Sequence, residues 1–283
     1  NTTPAWSFPY ASSPVAATPG AATMIEGSLG QRVGGATAYM MFDKWLYAEA
    51  GAYASFSPSM QLGMGLTNAN AQPQISGGAP YWRVTLQHDM SGHYFSLGTF
   101  GMQANVYPER DRSFGTDTIT DLGMDANYQY LADPKHIFEF KSSYIREDQK
   151  SNASQNLGLT QYNNNHLYSL HSNASYTFDQ TYTLSLGYLR NTGSADPLLY
   201  ASNTTFKPNS EAFTAELDYV PFGKTNDKYS SWTNLRFALQ YTGYTKFDGG
   251  YSNYTSDYLG DGSNISRSPQ HNNTLFLNGW LMF

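Results

Sequence analysis

An all-β fold, an antiparallel up-and-down transmembrane barrel of the outer-membrane type, is predicted by three observations. Apolar and polar residues alternate along most of the 283-residue chain, the period-two signature of strands with unlike faces. The alternating runs reach about ten residues, enough for a tilted strand to cross a hydrocarbon layer, against ~5–6 in soluble sheets. The connections are alternately short and long, as in barrels that carry turns on one side of a membrane and loops on the other.

Composition removes the alternatives. Aromatic residues make up 16% and charged residues only 13%; the charged share is about half that of an ordinary soluble domain. Twenty-three Tyr and 16 Phe are incompatible with a disordered chain. No apolar run approaches the ~20 residues of a membrane-spanning helix. A net charge of −6 argues against nucleic acid as a partner. With no cysteine, these residues hold no disulfide, no thiolate metal site and no C-x-x-C-H haem attachment.

Residues 1–31 are rich in Pro, Ala and Ser and lack the basic and apolar regions of a signal peptide. They are expected to form an extended segment on the long-loop side, with a partial strand near 23–30. Barrel strands are expected across 32–283. The first, about 32–41, ends at Phe42-Asp43-Lys44. In the second, 45–56, Leu46, Ala48, Ala50, Ala52, Ala54 and Phe56 oppose Tyr47, Glu49, Gly51 and Tyr53. Strand 80–90 sets Trp82, Val84 and Leu86 against Arg83, Thr85 and Gln87, and turns at Met90-Ser91-Gly92 into 93–105. In 118–131, Leu122, Met124, Ala126, Tyr128 and Tyr130 oppose Asp121, Gly123, Asp125, Asn127 and Gln129. A turn at 132–135 leads to 136–148. Strands 164–178 and 181–190 meet at Asp179-Gln180. Strand 209–220 separates Phe213, Leu217 and Tyr219 from Glu216 and Asp218. Strands 231–245 and 271–283 complete about eleven. Polar loops rich in Gly, Asn and Ser fill 57–79, 106–117, 149–163, 191–208 and 246–270.

The last strand places Leu275, Leu277, Gly279, Leu281 and Phe283 on one face and ends on an aromatic residue, like the terminal insertion signal of bacterial outer-membrane barrels. With Phe283 at the periplasmic side, the short turns, with a longer one across Pro221 to Ser230, fall in the periplasm and the long loops outside the cell. The first strand then runs inward. An even-stranded barrel that starts in the periplasm needs an odd number of strands before it, so a complete barrel of twelve or more strands and an upstream extension are expected.

The alternation assigns Glu49, Arg83, Asp89, Asp121, Asp125, Glu139, Lys141, Glu216, Asp218 and Arg236 to the lumen wall. They suit either an ion-pair network that fills the interior or an acidic, cation-preferring pore. Trp45, Tyr81, Trp82, Tyr144, Tyr176, Phe178, Tyr219, Trp232 and Trp280 fall near strand ends, where aromatic girdles meet lipid headgroups. His88 and His93 flank a turn and could bracket a metal or an axial haem position. His166 and His171 point to opposite faces of one strand, against a shared metal. Ser169, His171 and Asn173 share a face, a common polar pattern on which no enzyme assignment is based. Asp248, Asp257 and Asp261 lie in an oxygen-rich loop without EF-hand spacing.

Four stretches carry a resemblance: Asn1–Tyr10 (NTTPAWSFPY), Leu46–Tyr53 (LYAEAGAY), Pro80–Pro108 (PYWRVTLQHDMSGHYFSLGTFGMQANVYP) and Thr120–Glu147 (TDLGMDANYQYLADPKHIFEFKSSYIRE). Over roughly its first half, the chain resembles the carboxy-terminal barrel of proteobacterial outer-membrane fused cytochrome–porin proteins. The resemblance implies an upstream segment or a partner bearing haem c, and electron transfer across the outer membrane to or from a periplasmic carrier. The sequence departs from the family in lacking the C-x-x-C-H motif, so no haem-attachment residue carries over. A passive, weakly cation-preferring diffusion porin is the alternative. Outer-membrane lipid is the expected surrounding in both.

Overall fold

The computed structural model describes residues 16–29, 32–65, 72–222, 224, 233–250, 253–256 and 264–282. Phe283, Trp232, Asp257 and Asp261 lie outside the described residues. The strands are β1 (Val33–Phe42), β2 (Leu46–Ser55), β3 (Gln74–Ile75), β4 (Ala79–Met90), β5 (His93–Tyr107), β6 (Asp117–Asp133), β7 (His136–Lys150), β8 (Asn164–Phe178), β9 (Tyr182–Gly193), β10 (Ser210–Tyr219), β11 (Asn234–Lys246), β12 (Asn253–Ser256), β13 (Asn264–Arg267) and β14 (Thr274–Met282). The expected strands correspond in order to β1, β2, β4 to β11 and β14. The long connections also hold β3, β12, β13 and two short helices, α1 (Pro58–Gly63) and α2 (Asn152–Asn156), which periodicity over so few residues does not reveal.

One twelve-stranded sheet runs β1-β2-β4-β5-β6-β7-β8-β9-β10-β11-β14, with β3 paired to β5. Successive strands pair antiparallel and in sequence order, as in an up-and-down meander. The short connections work because residues there adopt left-handed backbone: Asp43 and Lys44, Ser91 and Gly92, Asp179 and Gln180 all have positive φ, which matches the twist of the flanking strands. The sheet is open, with β1 and β14 as its two edges.

Its two faces invert the partition of a water-soluble domain. Leu97, Met124, Leu217 and Leu277 are more than half exposed, while Asp121, Asp125, Glu147 and Glu216 are buried. The register keeps each set together: Thr99, Met124 and Tyr144 stand opposite one another on one face, and Gly98, Asp125 and Ser143 on the other. A one-residue slip would exchange the faces.

Residues 16–29 depart from expectation. Among the described residues 16–29 no strand forms; Met24–Ser28 make a single wide helical turn. The segment lies along the polar face, where Met24 and Leu29 join a buried apolar cluster with Ile75, Ala79, Tyr81, Phe100, Met102, Val106 and Ile145. Phe100 is fully buried and lies over Gly123, directly opposite it in register. A Cβ at Gly123 would stand 2.4 Å from that ring. Gly123→Ala should therefore cost about 1–3 kcal/mol, the usual price of overpacking. Gly78→Ala, whose Cβ would meet only Ala52 at 3.8 Å, should stay within about 0.5 kcal/mol. Urea unfolding midpoints test the pair.

Candidate functional site

The expected wall residues lie mainly on the polar face, where they form an ion-pair network. Arg83 on β4 reaches across β5 to Asp125 on β6, with Nη2 at 2.9 and 2.7 Å from the two carboxylate oxygens. Gly98 makes this crossing possible. It stands opposite Thr85 and Asp125 in register, and a Cβ there would be 2.3 Å from Asp125 Oδ1 and 2.9 Å from Arg83 Nη2. Arg83 also sits 5.6 Å from the centre of the Phe100 ring, a cation–π arrangement.

A second network joins β10 and β11. Arg236 Nε bonds Asp218 at 2.7 Å and Nη2 bonds Glu216 at 2.8 Å, while Gln240 donates to the other Glu216 oxygen at 2.6 Å. Lys141 pairs with Glu139 at 2.7 Å, and Gln129 donates to the same carboxylate. Glu49 accepts from the Tyr47 hydroxyl. Asp89 shares the face of Arg83 and Thr85 but lies exposed at the turn end of β4, outside these networks.

Other carboxylates bind the crossing segment. Met24 N–H donates to Glu147 at 2.5 Å and Ile25 N–H to Asp121 at 2.8 Å. Asp121 and Glu147 are direct cross-strand partners. The Glu26 carboxylate lies 3.6 Å from His171 Nε2 on β8. Asn191 on β9 donates to Ala21 O, the Tyr244 hydroxyl on β11 to Ala17 O, and Gly20 N–H donates to Asp248. Residues 17–26 thus cross the polar face from β11 to β6. Glu147 continues the alternation of Glu139 and Lys141 and could have been read from it. Glu26 has no periodic neighbour to announce it, and Asp248, singled out for its oxygen-rich loop, serves here as an anchor for Gly20.

Between this segment and the long loops lies a cavity of about 720 Å³, whose lining includes Arg32, Glu109, Tyr200, Lys207 and Asp248. Burial pushes the Tyr200 phenol and the Asp248 carboxyl upward; Gly20 N–H and the Ser210 hydroxyl partly offset the shift at Asp248. Asp196 goes the other way. Its own burial raises it, but Leu199 N–H, the Thr160 hydroxyl and the N–H groups of Gln161 and Tyr162 outweigh that and hold it well below the usual carboxylate range. Asp196 thereby fastens loop 151–163 to loop 194–209. Asp117 similarly accepts from Ala153 and Ser154 at the start of α2.

The remaining expectations sort by face. Trp82, Tyr144, Tyr176, Phe178 and Tyr219 are exposed on the apolar face, and Trp45 is exposed beside it in the turn. Tyr81 is instead buried on the polar face, edge-on to Tyr53 at 5.9 Å. Trp280 stands opposite Arg236 and shares its face. The reason is strand alternation: both positions have polar-face parity although they lie near strand ends. Leu275, Leu277 and Leu281 occupy the apolar face as expected. His93 shares that face and bonds the Tyr128 hydroxyl at 3.0 Å; His88 also faces that way. Ser169 donates to Asn191. Among the described residues, no group of three or more His, Asp or Glu could hold a metal.

Comparison with protein families, characterised proteins and solved structures finds no match to this chain.

Arg83→Met should cost about 3–5 kcal/mol, because it removes the guanidinium paired with a buried carboxylate. The double variant Arg83→Met/Asp125→Leu should recover much of that loss in a double-mutant cycle. Asp196→Ala should cost about 1–3 kcal/mol at pH 7 by leaving loop donors unpaired. A carboxylate with a depressed folded pKa contributes stability above its unfolded value, near ~3.9, and loses it as pH falls further. The gap between Asp196→Ala and the parent should therefore shrink below about pH 4, read from unfolding curves at a series of pH values.

Proposed function

We propose that this chain is wall and closure of a bacterial outer-membrane β-barrel, with its short turns in the periplasm and its long loops outside the cell. The observation that carries this reading is the inverted partition of the sheet: paired charges buried on one face, leucines and methionines exposed on the other. Such a surface is costly in water and suited to lipid. The exposed Trp82, Tyr144 and Tyr176 suit the headgroup level.

Within that reading, the chain acts as a sleeve for electron transfer, the function implied by its resemblance to fused cytochrome–porins. Residues 17–26 cross the polar face, and Met24 and Leu29 seal against an apolar cluster, an arrangement suited to closing a bore rather than leaving it open to solutes. These residues do not themselves supply a c-type haem site: there is no cysteine, and His93 and His136 hydrogen-bond Tyr128 and Tyr176. The haem belongs to an upstream segment or a partner cytochrome. This chain contributes position, low dielectric and exclusion of water. The second reading is a weakly cation-preferring diffusion porin without a redox role. It is favoured by the acidic excess among the wall residues, with Glu216 and Asp218 sharing the single Arg236.

The test combines the visible spectrum and intact mass of the protein purified from its native membrane with conductance in planar bilayers. Electron transfer predicts a c-type Soret band reducible by dithionite, a mass above 31.4 kDa and negligible steady conductance. Steady conductance without a Soret band would leave the porin. Deleting residues 16–29 should open ion-conducting steps in a protein that otherwise stays closed.

A further inference from the structure

The turns β6–β7 and β8–β9 are fastened side by side. Asp179 N–H donates to Lys135 O at 2.7 Å, and Gln180 Nε2 donates to Pro134 O at 3.4 Å. The ledge they form carries both signs of charge. Asp133 accepts the Lys135 N–H, Asp179 pairs with Lys224 at 2.5 Å, and His136 opens β7.

This ledge holds two rings of the apolar face. Lys135 Nζ stands over the Phe178 ring, 5.5 Å from its centre, and His136 Nδ1 shares a 2.6 Å hydrogen bond with the Tyr176 hydroxyl. Both rings line a groove of about 430 Å³ that extends over β9, β10 and β11 to β14. That volume lies within the ~300–1,000 Å³ of small-molecule sites.

Register explains the groove. Nearest the turns, Phe178, Tyr182, Tyr219 and Phe237 stand opposite one another across four strands, with Tyr182 and Tyr219 stacked at 5.3 Å. Two residues further into the sheet, Leu184, Leu217, Leu239 and Leu277 form a second row. Leucine stands less far from a sheet than tyrosine or phenylalanine, so the second row is a trough bordered by rings on its turn side. Leu217 and Leu277 are 59% and 75% exposed, and the aromatic row stops at Gly279, opposite Phe237.

An occupant must therefore be apolar along the trough and charged where it meets the ledge. An acyl chain matches the leucines. A phosphate matches Lys135 and His136, and an ammonium beside it matches Asp133 and Asp179. A purely anionic headgroup would meet those two carboxylates with no positive charge to offset them.

We propose that this groove and ledge bind one zwitterionic glycerophospholipid, its phosphate on Lys135 and His136, its ammonium on Asp133 and Asp179, and an acyl chain along Leu184, Leu217 and Leu239. This rests on the barrel reading and goes beyond it, because it singles out one lipid from the surrounding membrane.

The full-length protein, delipidated in detergent, is titrated with phosphatidylethanolamine or with phosphatidylglycerol of the same acyl chains and read by native mass spectrometry. The expected result is a single saturable phosphatidylethanolamine, held about tenfold more tightly than phosphatidylglycerol. Lys135→Gln should weaken it about tenfold and Lys135→Arg should restore it. Leu217→Trp, at an exposed position that fills the trough, should abolish it. Equal affinity for the two lipids, uptake without saturation, no retained lipid, or unchanged binding in Leu217→Trp would each overturn the site. A dimer that Leu217→Trp dissociates, with no lipid bound, would assign the groove to a second copy instead. Flotation with lipid vesicles is read separately. A protein that does not float defeats the barrel reading, whereas one that floats without lipid preference defeats only the site.

Discussion

A carboxylate withdrawn from water must find a counter-charge or a set of donors, and that requirement organises the polar face of this sheet. Asp125 finds Arg83 two strands away, Glu216 and Asp218 share Arg236, and Asp121 and Glu147 accept amides from the crossing segment. None of these arrangements forms within one strand. Each depends on register holding several strands in alignment, so the antiparallel ladder and the charge network require one another. A buried charge stripped of its partner is far costlier than a pair replaced whole. The networks therefore constrain register more than they add net stability.

Small residues make the network possible. Gly98 lets a guanidinium cross a strand, and Gly123 gives the Phe100 ring a floor. Glycine weakens a strand when nothing covers it, but here neighbouring side chains occupy the space it leaves. The same strands thus carry a polar bridge and an apolar cluster on one face, separated by a few residues along β5 and β6.

The crossing segment changes the meaning of the polar face. With the wall alone, an excess of carboxylates would suggest a cation path. With residues 17–26 bound to Asp121, Glu147, Asn191, Tyr244 and Asp248, several of those groups serve as anchors. Charge on the wall then has two uses, fastening a closure and pairing within the sheet. The proposed sleeve rests on this double use.

Much of the architecture was legible because strand alternation is a local property. Leu122, Asp121, Met124 and Asp125 announce their faces within five residues, and the wall carboxylates follow from the same count. Turn positions such as Ser91-Gly92 were legible because few residues accept left-handed backbone. The sequence alone therefore determined the all-β class, the antiparallel up-and-down strand order and which residues share a face. Only the tertiary structure decided the rest, because those facts join residues far apart in the chain and leave no period: Arg83 with Asp125, Met24 with Glu147, Ala17 with Tyr244. Tyr81 and Trp280 show the limit from the other side. Their place near strand ends suggested a girdle, but each alternates with a neighbour on the apolar face, Trp82 or Leu281, and the sheet carries both on its polar face, Tyr81 beside Arg83 and Trp280 opposite Arg236.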